Sequence, residues 1–273
     1  MAALRIFSYM PNPRVWKATI AARLNGVALE VQGAAPAELA DWSWDFDARP
    51  LRDEDRANEA YRQTGRVGFG GTPLFKTSAF LAAHPFGTVP AAFSGDGTTG
   101  IFESNSIART VARLGAEQLS LYGADAYQAS RIDSFLDASL VFGRDTQPYL
   151  LGLRARDLDD ATQRTAAAAC ATYLGGIDRA LDGGRSFLVG ECVSLADICY
   201  VSELTMLWYE RPQRAWLAQR GYAPAVPADF ATRYPRAAAH FSALRAHPAF
   251  TPDLETHLTH LESDVLHTTS KPA

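Results

Sequence analysis

The first third of the chain places short apolar runs on either side of a stretch with helical periodicity. Leu4 to Tyr9 (LRIFSY) is typical of a β-strand, and so is Val27 to Gln32 (VALEVQ). Between them, residues 14 to 26 (RVWKATIAARLNG) repeat apolar side chains on one helical face and end in the stop signal Asn-Gly. A strand, a helix and a strand in this order predict a parallel pair of strands joined by a right-handed crossover.

Residues 33 to 83 show no single period. The part from 41 to 71 (DWSWDFDARPLRDEDRANEAYRQTGRVGFGG) combines five aromatic residues with charges of both signs and a cluster of glycines. We expect a helix near Leu51 to Gln63 and interpret residues 33–83 as an insertion. It forms either a solvated flap or a surface on which Trp42, Trp44 and Phe46 contact a ligand or a partner.

The next segment (GTVPAAFSGDGTTGIFESNSIARTVARLG, residues 87 to 115) predicts a β-hairpin followed by a helix. Strands over Val89–Phe93 and Thr99–Phe102 enclose a Ser-Gly-Asp-Gly turn. A helix is expected from Ser104 to about Arg113, with Gly115 at its end.

From about residue 125 onward strand signals almost vanish and helical periodicity dominates. Residues 186 to 200 (SFLVGECVSLADICY) contain a helix start in which Ser194 is the N-cap and Asp197 closes a capping box. The boundary is expected within residues 116–124. The sequence therefore predicts an α/β domain over residues 1–116 and an all-α domain over residues 124–273.

Charge and composition exclude several classes of function. The net charge of −4 and the pI of about 5.9 provide no basic field for nucleic acid. No run of 18 apolar residues predicts a membrane span, and the first residues do not resemble a secretory leader. Cys170, Cys192 and Cys199 form neither a CxxC motif nor a zinc spacing, so we expect reduced thiols and a cytoplasmic protein.

The hairpin segment also carries candidate binding chemistry. An X-Pro bond such as Val89-Pro90 can be cis, which would free the backbone of Val89 to pair with a bound peptide as an added strand. Ser104 lies at a helix N-terminus, where its hydroxyl and amide suit a carboxylate. Glu103 suits an ammonium group. Alternatively, the proline simply begins a strand, Ser104 caps a helix and Glu103 is a surface acid.

The histidines do not predict a metal centre. His257 and His260 lie on one face of a C-terminal helix, but no third ligand is evident nearby. We therefore expect a solvated helix and no metal.

Three segments in order, PFGTVPAAF, IFESNSIARTVARL and FLVGECVSLADI, resemble the cytosolic glutathione transferase superfamily. In detail, FESNSIA and FLVGECVSLADI are similar to the gamma subunit of translation elongation factor 1 and its bacterial relatives. The resemblance implies a thioredoxin-like N-terminal domain, an all-α C-terminal domain and glutathione as co-substrate bound by Val89, Pro90, Glu103 and Ser104. It also implies a dimer, either homo- or heteromeric.

The same resemblance implies nucleophilic attack by glutathione thiolate on an apolar, aromatic electrophile. Some bacterial members cleave β-aryl ethers derived from lignin, which makes this reaction one candidate. The alternative is a non-catalytic assembly subunit, as in the elongation-factor relative. Side chains expected to line the co-substrate pocket are Tyr9, Phe135, Tyr149, Trp208 and Tyr209.

Two positions depart from the family pattern. Asn12 of NPRVWK occupies the place of the activating serine or cysteine, so it either donates an amide N–H to the thiolate or only caps the helix. Ser8 is the second catalytic candidate. Thr88 stands where many members carry a lysine for the glycine carboxylate of glutathione, and His84 or Lys76 is expected to replace that lysine.

Overall fold

The computed structural model describes residues 2–65, 68–115 and 120–269, with side chains up to residue 261. The chain forms two compact units, Met1–Leu119 and Ser120–Ala273.

The first unit contains a mixed sheet with the strand order β2-β1-β7-β8. These strands are β1 (Leu4–Tyr9), β2 (Leu29–Ala34), β7 (Ala91–Ser94) and β8 (Gly100–Phe102). Strand β1 pairs in parallel with β2 and antiparallel with β7, and β7 pairs antiparallel with β8. Helices α1 (Pro13–Asn25) and α4 (Ser104–Leu114) pack against each other.

Local signals explain how helix α1 begins and ends. The Asn12 side chain accepts a hydrogen bond from the Arg14 amide, and Pro13 occupies the first helical position, where its missing N–H is not needed. Gly26 ends the helix with φ 63°, a left-handed conformation that glycine adopts without a Cβ clash. The second strand begins at Leu29 and ends at Ala34, two residues later than the predicted run.

Residues 33–83 are not a solvated flap, because they form a second sheet with the order β4-β3-β6-β5. Its strands are β3 (Trp42–Trp44), β4 (Arg49–Pro50), β5 (Arg62–Thr64) and β6 (Pro73–Lys76), accompanied by helices α2 (Asp53–Ala57) and α3 (Ser78–Ala83) and by a 3-10 helix over Glu38–Asp41. The helix expected over Leu51–Gln63 is therefore mostly wrong. It shortens to α2, followed by a 3-10 turn over Glu59–Tyr61 and then by β5.

Trp44 belongs to the core of the first unit instead of a ligand surface. It is 1% exposed and makes edge contacts with Phe7 and Phe80 at centroid distances of 5.5 and 5.8 Å. Trp42 is half-buried and stacks on Phe7, while Phe46 packs edge-on against Phe93. These contacts join the second sheet to the first through aromatic packing.

In its described part, the second unit contains helices and no strand. Its helices are α5 (Ala126–Ala155), α6 (Asp160–Ala180), α7 (Leu195–Leu207), α8 (Arg214–Gln219), α9 (Phe230–Arg233), α10 (Pro235–Arg245) and α11 (Thr251–Thr269), with a 3-10 helix over Trp208–Gln213. The thioredoxin-like α/β domain followed by an all-α domain is thereby confirmed. Among residues 2–65, 68–115 and 120–269, no helix combines the length and apolar character needed to cross a membrane.

The capping box at the start of α7 is present. Asp197 is fully buried, and its carboxylate accepts hydrogen bonds from the Ser194 amide and hydroxyl, each at 2.8 Å. It also accepts from the Leu188 amide and lies 2.9 Å from Nε2 of His240. A local helix signal thus also connects the preceding loop and helix α10 to the start of α7.

Candidate functional site

The register of the first sheet brings separate segments of the chain to one edge. Ala91 of β7 pairs with Phe102 of β8, so Val89-Pro90, just before β7, lies beside Glu103-Ser104, just after β8. Ala91 also pairs with Phe7 of β1, which places the end of β1 at the same edge. Neighbouring antiparallel strands hold opposite residues about 5 Å apart. Val89-Pro90, Glu103-Ser104 and the end of β1 therefore lie at one edge of the sheet.

Val89 has the geometry of a peptide-pairing residue. The Val89–Pro90 bond is cis, and Val89 is half-buried while Pro90 is buried. In the described part of the chain, neither backbone group of Val89 has a backbone hydrogen-bond partner. An extended peptide could use these two groups as it would use the edge of a sheet.

Glu103 and Ser104 lie where β8 meets helix α4. Glu103 is exposed and has φ 65° and ψ 121°, an unusual conformation for a residue that carries a Cβ. Ser104 is the first residue of α4 and is 6% exposed. The positive end of the helix dipole favours an anion in front of Ser104.

Lys17, for which the sequence predicts no role, approaches Ser104 from helix α1. Lys17 is 2% exposed, and its Nζ donates to Ser104 Oγ at 3.3 Å and to Asn105 Oδ1 at 2.8 Å. A signal was present in the sequence, because Lys17 shares its helical face with the apolar residues Pro13, Ile20 and Ala21. A lysine buried this deeply is uncommon unless it has specific partners.

The two catalytic candidates contact each other. Asn12 Nδ2 donates to Ser8 Oγ at 3.0 Å, while Asn12 Oδ1 accepts from the Arg14 amide at 2.9 Å. Both Asn12 and Ser8 are 0% exposed. Asn12 therefore caps helix α1 and also fixes the Ser8 hydroxyl. Tyr9, the last residue of β1, is half-buried and packs against the aromatic core.

The position of His84 does not support contact with glutathione. The ring is 1% exposed and packs against Phe80, Phe93 and Phe102 at centroid distances of 5.0, 4.7 and 6.4 Å. Burial lowers the pKa of His84 to about 4, and the nearby Ala92 backbone offsets this effect only in part. Neither ring nitrogen reaches hydrogen-bonding geometry with any described group. His84 is thus a neutral core residue.

Lys76, the alternative to His84, is directed toward the loop that precedes β7. It is 8% exposed, its Nζ donates to the Gly87 carbonyl at 2.7 Å, and it lies 4.8 Å from the centroid of Trp44. The contact fixes the turn immediately before Thr88. Lys76 therefore stabilises the loop before β7 through the Gly87 carbonyl.

The residues expected to line the co-substrate pocket fall into two groups. Tyr149 is 0% exposed and donates its hydroxyl to Glu210 Oε2 at 2.9 Å, so it is a core residue of the second unit and not a pocket wall. Trp208 is 5% exposed and packs against Phe241. Phe135 and Tyr209, in contrast, are half-buried, and the Arg131 guanidinium lies 5.0 Å from the centroid of the Phe135 ring.

The buried Glu210 was not anticipated from the sequence. Its carboxylate accepts from the Ala225 and Val226 amides at 2.9 and 3.2 Å. Burial raises the pKa of Glu210 to about 7, and these hydrogen bonds and that from Tyr149 act in the opposite direction. Burial, followed by the Glu210 charge, raises the pKa of Tyr149. This cluster holds the segment around residue 225 to the helices of the second unit.

Within the described residues, no group of three or more His, Cys, Asp or Glu side chains is arranged to hold a metal ion. His257 and His260 lie on helix α11, and burial together with the neighbouring His260 lowers the pKa of His257. Cys170 and Cys199 are buried and Cys192 is exposed, and all three are free thiols.

Comparison with known proteins gives a consistent set of relatives. The chain is 30% identical over 206 residues to a glutathione S-transferase-like protein of Gibberella fujikuroi, covering 73% of this chain and 77% of the relative. It is 32% identical over 212 residues to elongation factor 1-gamma of Homo sapiens, covering 76% of this chain but only 39% of that protein. No family model matches the chain.

The solved structures agree on the fold. A glutathione S-transferase from Rhodospirillum rubrum superposes with a TM-score of 0.60 at 20% identity, covering 92% of this chain and 91% of that chain. A glutathione S-transferase from Methylobacillus flagellatus, described with glutathione bound, gives a TM-score of 0.61 at 15% identity, with coverage of 92% and 98%. At these identities the similarity establishes the fold alone.

Proposed function

This chain belongs to the glutathione S-transferase superfamily, and we propose that it binds glutathione at the edge of its first sheet and directs the thiolate to an apolar electrophile. The observation that carries this proposal is the register that places Val89-Pro90 beside Glu103-Ser104. Residues 14 positions apart in sequence thereby meet at one edge of the sheet.

The cysteine and the γ-glutamyl group of the tripeptide each have matching groups at this edge. The cysteine backbone pairs with the N–H and C=O of Val89 as an added strand. The α-carboxylate of the γ-glutamyl group accepts from the Ser104 hydroxyl and from amides at the start of α4. Its ammonium group is paired by the exposed Glu103 carboxylate. The sulfur then points toward the start of helix α1, near Asn12 and Ser8.

The proposed reaction is nucleophilic displacement. The thiolate forms a new C–S bond with an electrophilic carbon while the leaving group departs with its electron pair. In β-aryl ether cleavage the C–O bond breaks and the leaving group is a phenolate. Phe135 and Tyr209 are our candidates for contact with an aromatic co-substrate, because they are only half-buried.

Calorimetry tests the binding half of the proposal. We expect heat on titrating glutathione into the wild type, and a loss of about tenfold in affinity for Glu103→Ala or Ser104→Ala, the usual effect of removing a charge-assisted hydrogen bond. Ser106→Ala, a half-buried residue of the same helix, is the matched control and should bind normally. The absence of heat with the wild type would contradict the proposal.

Activity is tested by following thiol consumption with aromatic halides and β-aryl ethers.

We also expect a dimer, either homo- or heteromeric. Light scattering of the purified chain distinguishes a homodimer from the monomer mass of 29.6 kDa. A monomer that remains monomeric with candidate partner chains would contradict the dimer.

A second function is favoured by one specific observation. The similarity to elongation factor 1-gamma is accompanied by an Asn12 side chain whose amide is already bonded to Ser8 and to the Arg14 backbone. A chain that serves in assembly requires no thiolate activation. Binding of glutathione without thiol consumption for any electrophile tested would favour this assembly role.

A further inference from the structure

The contact between helices α1 and α4 contains a buried ammonium group with two defined oxygen partners. Lys17, one and a half turns into α1, is 2% exposed, and its Nζ lies 3.3 Å from Ser104 Oγ and 2.8 Å from Asn105 Oδ1. Both partners belong to the first turn of α4, and both are also buried, at 6% and 1% exposure. The charge therefore lies directly behind the proposed carboxylate site.

The direction of these hydrogen bonds follows from the donors available. An ammonium group has three donors and no acceptor, so Ser104 Oγ must accept from Lys17. The single proton of the Ser104 hydroxyl is then not used toward Lys17. Ser104 is the first residue of α4, so no preceding turn of the helix offers a carbonyl to receive that proton. A carboxylate in front of the helix can then accept that proton.

The same contact orients Asn105. Its Oδ1 accepts from Lys17, which fixes the amide so that Oδ1 faces the ammonium. The positive charge also adds to the positive end of the α4 dipole in a region where water does not screen it. Orientation and electrostatics thus act in the same direction, in favour of an anion at the Ser104 hydroxyl.

We infer that Lys17 is a positioning residue that makes the start of α4 selective for the α-carboxylate of a γ-glutamyl group, through the Ser104 hydroxyl. This inference rests on the proposed glutathione function. Lys17 does not touch the ligand. It determines which way the Ser104 proton points and raises the positive potential at that proton.

The test compares two ligands that differ only in the carboxylate. Glutathione and γ-aminobutyryl-cysteinylglycine share the thiol, the amino group and the glycine carboxylate, but the second lacks the α-carboxylate. Calorimetry with the full chain should show that Lys17→Met lowers the affinity for glutathione by about tenfold. Affinity for the analogue should stay within twofold. Arg23→Met, which removes an exposed charge from the far end of the same helix, should change neither affinity.

A double-mutant cycle tests whether Lys17 acts through Ser104. In the Ser104→Ala background, Lys17→Met should lower the affinity for glutathione by less than about threefold, because the hydroxyl that Lys17 orients is absent. Lys17→Arg, which retains a cation, should recover most of the preference for glutathione over the analogue. A purely structural role predicts equal losses for both ligands and full additivity with Ser104→Ala, and either result would overturn the inference.

If Lys17→Met fails to fold, the wild type still provides a readout. In protein labelled with ¹⁵N-lysine, the Nζ resonance of Lys17 should shift when glutathione is added and should not shift with the analogue. An unchanged resonance at saturating glutathione would overturn the inference alone. A wild type that binds no glutathione would overturn the proposed function as well, so the two failures are distinguishable.

Discussion

Replacing Glu103 with glycine should make the protein more stable while weakening its proposed binding of glutathione. Glu103 has φ 65° and ψ 121°, where the Cβ of an L-residue is crowded by the backbone. A non-glycine residue held in such a conformation costs about 1–3 kcal/mol. The side chain is exposed, so it contributes little packing that could offset this cost.

The expected magnitude follows from two opposing terms. Glycine removes the Cβ clash but increases the freedom of the unfolded chain, which costs about 0.4–1 kcal/mol. The free energy of unfolding of Glu103→Gly should therefore exceed that of the wild type by about 0.5–2 kcal/mol. Affinity for glutathione should fall about tenfold, because the ammonium group loses its carboxylate partner.

Two further variants separate backbone from side chain. Glu103→Ala and Glu103→Gln both keep the Cβ and remove the carboxylate charge, so each should weaken binding without a gain in stability. Urea denaturation followed by circular dichroism measures stability, and calorimetry measures binding. If Glu103→Gly is no more stable than Glu103→Ala, the backbone at this position is not strained and the reasoning is refuted.

The remaining predictions concern three buried polar residues. The pKa of His84 in the folded protein, about 4, lies below its value near 6.5 in the unfolded chain. The neutral ring therefore contributes fully to the free energy of unfolding above pH 6.5, and this contribution is lost as the pH falls toward 4. Stability should fall by about 3 kcal/mol over that range, and denaturation of His84→Leu should show a weaker dependence on pH. Asp197→Ala should destabilise the protein by at least about 2 kcal/mol in thermal unfolding, because its buried partners lose their acceptor, whereas exposed Asp182→Ala should be nearly neutral. Asn12→Ala should raise the pKa of the bound thiol by about one unit in the pH–rate profile if Asn12 supports the thiolate. An unshifted profile with a stability loss of about 0.5–2 kcal/mol would assign it to capping alone.

Elements with local chemical signals could be predicted from the sequence. The turn after β7, the start of α4 at Ser104 and the capping box of Ser194 depend on residues within a few positions of one another. The second sheet could not be predicted in this way. Its central pair joins Ser43 to Phe75 across 32 residues, in strands of only three and four residues. Strands this short lack a measurable period, and the burial of Trp44 depends on Phe7 and Phe80, which are distant in sequence.

The errors in the candidate site have the same physical origin. The sequence shows His84 only as a histidine before a proline, whereas its burial depends on Phe80, Phe93 and Phe102, which come from three different elements. Tyr149 was assigned to a pocket because it is aromatic and lies on a long helix. Its hydroxyl is instead taken up by Glu210, 61 residues away. Side-chain direction across such distances is a property of packing.

The two ends of the proposed glutathione site differ in how completely they are built. At the γ-glutamyl end, the strained Glu103, Ser104 and the buried Lys17 provide charges and a directed hydroxyl before any ligand arrives. At the sulfur end, the Asn12 side chain donates a hydrogen bond to the Ser8 hydroxyl. Interactions at the γ-glutamyl end would bind glutathione whether the protein is a transferase or an assembly subunit. Catalysis additionally requires that the sulfur end favour thiolate over thiol, since only an interaction with the charged form lowers the thiol pKa. The pKa of the bound thiol, measured in the complex, therefore separates the transferase from the assembly subunit, which affinity alone does not.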